Sequence, residues 1–173
     1  MKFSSLLVLL FFFVTSQTVA QKVGHIHSEE VLSKMPEYIE ALEEIDLLTK
    51  NWESEILQKQ KELEKMKHDY LSDKPMLTLT MEEEMLGQIE VLENELREYQ
   101  NKRFGYEGML YLKREQLIEP VKAKMSEAVE RVSKKNKVDF MFDLSADMVL
   151  PYASKGRNYT TKVLEQLGVV VSE

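Results

Sequence analysis

The 173-residue chain has no cysteine, 23 basic against 30 acidic side chains, and 43% hydrophobic residues. These counts exclude a disulfide framework, a thiolate metal site and a cysteine nucleophile, and the acidic balance argues against nucleic acid as a partner. Six glycines, four prolines and 31% charged residues describe a helix-rich chain of a length compatible with one domain.

Residues 1–20, MKFSSLLVLLFFFVTSQTVA, place one positive charge at Lys2, an apolar run from Leu6 to Val14, and small or polar residues up to Ala20. That order is a secretory signal peptide with cleavage before Gln21. The apolar run is about half of the roughly 20 residues that a membrane span needs. Removing Lys2 leaves 22 basic against 30 acidic residues, a net charge of −8 on the mature chain. No later segment is apolar enough to cross a bilayer, so no stable membrane insertion is expected after cleavage.

The segment KVGHIH alternates, with Val23, His25 and His27 on one face and Gly24 and Ile26 on the other, and predicts a first strand. The two histidines are too few for a metal site, and His68 lies elsewhere. Ser28, Glu29 and Glu30 then open a short helix with Val31, Leu32 and Met35 on its apolar side, and Pro36 stops it.

From Leu42, the positions Leu42, Ile45, Thr49, Trp52, Ile56, Lys59, Leu63, Met66 and Tyr70 are spaced alternately three and four apart, and seven of the nine are apolar. Such a narrow seam marks a helix packed against one other helix, as in a coiled coil. Ser72 to Pro75 predicts a turn, and Thr80 with Glu83 reads as a capping box for the returning helix. Its seam runs Met85, Ile89, Leu92, Leu96, Tyr99, Arg103, Tyr106, Leu110, Lys113 and Leu117. The two seams predict an antiparallel hairpin whose first arm, Glu37 to Leu71, is roughly 50 Å long. Gly105 and Gly108 each cost about 1 kcal/mol inside a helix and are read either as a flex point or as tolerated residues.

Helical spacing continues through Ile118, Val121, Met125, Ala128 and Val132, with a one-residue phase slip at Leu117 and Ile118 where Pro120 should kink the helix. The arm is expected to end there. VDFMFDL (138–144) predicts a second strand and DMVLPY (147–152) a third, with a last helix from Asn158 to Leu167 ending at Gly168. The expected division is therefore a signal peptide 1–20, a β-containing body from 21–37 and 118–173, and a helical hairpin arm 38–117 with its tip near 72–80. So small a body without disulfides is expected to need a homo-oligomer.

The segments SEEVLSKMPEY (28–38) and VDFMFDL, with the hairpin between them and the helix TTKVLEQLGV after them, resemble the Skp/OmpH family of periplasmic chaperones across essentially the whole mature chain. The resemblance implies a mostly α fold with a small β body. It further implies a homotrimer whose strands form a shared body and whose three hairpins enclose a cavity, where unfolded outer-membrane proteins are held without ATP. Well-known members are basic whereas this chain is acidic, so no lipid or lipopolysaccharide site is carried over.

A holdase needs scattered adaptable contacts, and the chain has ten methionines. The candidate client contacts are Met76, Leu77, Leu79 and Met81 at the tip, with Leu48, Leu57, Leu86, Met109 and Leu112 outside or beside the seams. The alternative is that these residues complete the coiled-coil flanks or pack the turn. Asp139, Asp143 and Asp147 fall at strand ends and a turn. No nucleophile elbow, phosphate loop or zinc helix is present, so neither an enzyme nor a cofactor is expected. The competing functional class is an envelope coiled-coil adaptor with one fixed partner.

Overall fold

The computed structural model describes residues 21–145 and 150–170. Strand β1 (Val23–Ile26) leads into helix α1 (Ser28–Lys34), and α2 (Pro36–Asp73) follows at once. Met35 is extended, with φ −80° and ψ 121°, and serves as the last cap of α1 and the first cap of α2. Pro36 therefore opens the long helix as well as closing the short one, since a proline in the first turn forfeits an N–H that would have no helical partner.

At the far end of α2 a 3₁₀ turn, Lys74–Met76, carries the chain around to α3 (Leu79–Phe104). The cap of α3 is Thr78, whose hydroxyl accepts from the Met81 N–H at 3.4 Å. The expected cap at Thr80 is thus corrected by two residues: Leu77 packs under the turn against the cluster of Leu63, Tyr70 and Ile89, which lets the helix begin sooner.

The returning limb is two helices. Helix α3 ends at Gly105, and α4 (Met109–Asn136) starts after Gly108. Tyr106, expected in the seam, is 96% exposed. By contrast α4 runs uninterrupted through Pro120, and the helix of the returning limb is interrupted at the two glycines, which the sequence offered as a flex point. Ile118 and Val121 are both buried, and packing on either side of Pro120 keeps the helix going across one missing hydrogen bond. The phase slip is real in this sense: Leu117 and Ile118 both join the cluster with Ala41 and Ile45.

The strand β2 (Phe140–Asp143) pairs with β1 in parallel, Val23 opposite Phe140 and Ile26 opposite Asp143. On the other side of β1, the Tyr159 N–H donates to the His25 carbonyl at 2.8 Å. The third expected strand is not formed at Leu150–Tyr152, and residues 147–149 lie outside the described ones; the neighbour of β1 is an isolated bridge at Asn158. Helix α5 (Thr160–Gln166) ends at Gly168, whose φ of 77° suits a residue without a Cβ.

The main core joins Val31, Leu32 and Met35 of the first segments to Val121, Ala128 and Val132 of α4 and Val163 and Leu164 of α5. The fold is mostly α, with a two-stranded sheet and a long helical hairpin between the two segments that form it.

Candidate functional site

The hairpin closes along one narrow line and leaves its outer sides open. Ile45, Trp52, Leu63, Tyr70 and Ile89 are buried along it. The seam starts at Ala41 rather than Leu42, which is 45% exposed. Midway, the Arg103 guanidinium lies 4.9 Å from the ring centroids of both Trp52 and Tyr99. Phe104 meets Trp52 edge-on at 6.0 Å. The Tyr99 hydroxyl donates to Glu55, so that burial, first, and this hydrogen bond hold the phenol above its ordinary pKa. Ion pairs Lys67–Glu93 at 2.5 Å and Lys74–Glu82 at 3.2 Å continue the zip toward the tip.

The tip is locked from within. Tyr70 donates to Glu82 at 2.7 Å and accepts from Lys74 at 3.1 Å. The bond from Tyr70, first, and then the direct contact with Lys74 keep the Glu82 carboxyl below its ordinary value. The turn is thus ordered by its own side chains while Met76 is 80% and Leu79 82% exposed.

Of the other candidate contacts, Leu57, Met81, Leu86 and Leu112 are exposed, and Leu48, Leu77 and Met109 are half-buried. Leu77 is engaged in packing the turn. The candidates form no single patch: Leu48 and Leu57 lie on α2, Met76 to Leu86 around the tip, and Met109 and Leu112 at the start of α4. The off-seam rule that selected them applies equally to Leu47, Leu71 and Val91, which are also exposed and were missed. A groove of about 460 Å³ opens between α2 and α3, lined by Glu62, Met66, Glu84, Gly87, Gln88, Val91 and Leu92. No feature of spacing points to Gly87.

Charge divides sharply along the chain. Residues 38–117 carry 11 basic and 19 acidic side chains, a net −8, while 21–37 and 118–170 with the last three residues carry 11 of each. The acidity is therefore a property of the hairpin.

Elsewhere, the sheet exposes Val23, Phe140 and Phe142, and Val23 and Phe142 line a hollow of about 260 Å³ together with Leu150 and Tyr152. His25 is buried and its pKa is lowered by burial and then by His27. The two rings stand edge to face at 6.0 Å. Among the described residues no group of three or more His, Cys, Asp or Glu side chains is placed to hold a metal ion. Asp139 accepts from the Lys22 N–H at 2.6 Å, and Asp143 from the Ser28 and Ser145 N–H groups at 3.0 Å; Asp147 lies outside the described residues. Among the described residues no helix is long and apolar enough to cross a membrane.

Residues 22–167 match the family model of outer membrane protein (OmpH-like). An OmpH-like protein of Caulobacter crescentus CB15, proposed as an outer membrane chaperone, superposes with a TM-score of 0.69 over 88% of this chain and 87% of that one, at 12% identity. That likeness is one of fold. No curated protein matches the sequence. With the family match covering the hairpin and both segments that frame it, the chain belongs to the OmpH-like family.

Proposed function

We propose that the protein is an ATP-independent periplasmic holdase that binds unfolded outer-membrane proteins between its helical arms and prevents their aggregation. The observation that carries this reading is the separation of tasks within the hairpin. Its seam and cross-helix ion pairs hold the two helices together, while Met76, Leu79, Met81, Leu57 and Leu112 stand exposed along its length. Dispersed apolar side chains on a charged rod bind unfolded chains without selecting one sequence, because many weak contacts sum when several arms surround one client. The description of the Caulobacter relative as a proposed outer membrane chaperone agrees with this role.

In this proposal residues 38–117 are the arm, 21–37 and 118–173 the body, and three copies assemble through the bodies to enclose a cavity. The exposed apolar face of the sheet supports that assembly, since such a face is rarely left in water. Residues 1–20 direct export and are removed.

The test uses the mature chain without nucleotide. Aggregation of several unrelated urea-denatured outer-membrane proteins is followed by light scattering, and native mass is measured with and without client. Suppression of all of them, with client captured by an assembly of defined mass, is expected. Capture of one folded partner only, with no suppression, would replace the holdase by an adaptor.

A further inference from the structure

The groove between α2 and α3 has a floor of Met66, Val91 and Leu92 and acidic sides at Glu62 and Glu84. Gly87 sits in the interior of α3, where glycine is among the least favourable residues. Nothing lies within 4 Å of the place its Cβ would occupy. Neither close packing nor a left-handed backbone therefore requires a glycine here. What the missing side chain does is leave the groove open above its apolar floor. Glu62 and Glu84 join no ion pair among the described residues, whereas Glu93 and Glu95 nearby are paired across the helices and Glu82 is paired with Lys74 of the turn. Residues 60–98 contain five basic and eleven acidic side chains, so the field around the groove is negative.

We propose that this groove is a binding site for an unfolded polypeptide segment in which an apolar side chain is flanked by lysine or arginine. The apolar side chain lies on Met66, Val91 and Leu92 in the space beside Gly87, and the cationic neighbours meet Glu62 and Glu84. The proposal rests on the holdase reading and narrows it: the arm grips cationic apolar stretches first. It also gives the acidic hairpin a use, attraction to basic stretches of a client.

The test uses the processed chain in its native assembly and two fluorescein-labelled peptides with the same apolar residues, one with lysines and one with glutamates at the flanking positions. The lysine peptide is expected to bind about tenfold more tightly at low salt, the scale of two exposed ion pairs in a favourable field. Most of that difference should vanish in the double variant Glu62→Gln, Glu84→Gln. Gly87→Gln should raise the melting temperature, glutamine being a better helix former, yet weaken the lysine peptide about fivefold by filling the groove. Equal binding of the two peptides overturns the proposal. So does a Gly87→Gln chain that melts higher and binds as before. A concentration-dependent gain in mass that Gly87→Gln abolishes would assign the groove to a second arm and overturn it too. Aggregation assays on the same preparations separate the two readings: suppression without peptide preference sinks the groove alone, and peptide preference without suppression sinks the holdase alone.

Discussion

Asp143 shows how much one side chain at the junction of the two chain ends can do. It accepts from Ser28 at the start of α1 and from Ser145 in its own turn. Burial pushes its carboxyl upward, but the hydrogen bonds from Ser28 and Ser145 and the neighbouring His27 outweigh this and hold it below its ordinary value. A carboxyl depressed in the folded state stabilises at pH above about 4 and loses that contribution as pH falls through the folded value. His25 acts in a different window. Its lowered pKa means that the unfolded chain takes up the proton first, so stability falls as pH drops below about 6.5. Asp143→Asn is expected to cost about 1 kcal/mol at neutral pH, the value of a helix cap. Melting curves taken from pH 7 to pH 3 should then keep the upper decline and show a shallower lower one, since Glu82 and Glu37, also depressed, still contribute to it. A variant whose lower decline is as steep as that of the parent chain would remove Asp143 from this role. The sequence marks Asp139 and Asp143 as strand-end residues but not their partners, because Lys22 and Ser28 lie 117 and 115 positions away and no periodicity connects them.

At the scale of elements, the hairpin was legible because a narrow seam repeats over many turns, and its interruption was not. The spacing of Arg103, Tyr106 and Leu110 fits an unbroken helix, yet the chain leaves the helix at Gly105 and re-enters after Gly108. Glu107 takes φ 52° in between, a left-handed conformation that costs a non-glycine residue about 1 kcal/mol or more. Pro120, the stronger breaker by type, is carried inside α4 by the burial of Ile118 and Val121 on either side. Packing thus overrules propensity at Pro120, whereas at the glycines poor helix propensity prevails over the seam spacing. The two kinds of glycine in α3 and its end should respond in opposite directions. A Cβ at Gly105 would lie 2.4 Å from the Asn101 carbonyl oxygen, so Gly105→Ala is expected to destabilise by about 1 kcal/mol or more. Gly87→Ala should stabilise by about the same amount. Urea titrations of both variants check this, and a stabilising Gly105→Ala would mean that the break is readily replaced by continuous helix.

At the scale of the whole molecule, composition and pattern foretold the order of the pieces, and what they hid was how the ends meet. Two strands were expected at the back, and among the described residues one forms, beside β1 and parallel to it. Beside β1 on its other side stands the isolated bridge at Asn158. A two-stranded sheet with Val23, Phe140 and Phe142 exposed on it has much apolar surface to cover. In the proposed assembly, placing lysines at Phe140 and Phe142 together should leave single chains in native mass measurements, with the helical content of the arm intact. An unchanged mass would move the assembly surface away from the sheet.

The parallel pairing of β1 with β2 also orders events in time. Val23 finds Phe140 only after more than a hundred intervening residues have been laid down, and closing so long a loop of loose chain is slow. The helices between them meet through neighbours in sequence and form early, drawing the two strands toward each other before either has a partner. The rod is therefore built first and the base is sealed last. The newborn molecule thus acquires its reach before its two ends are joined.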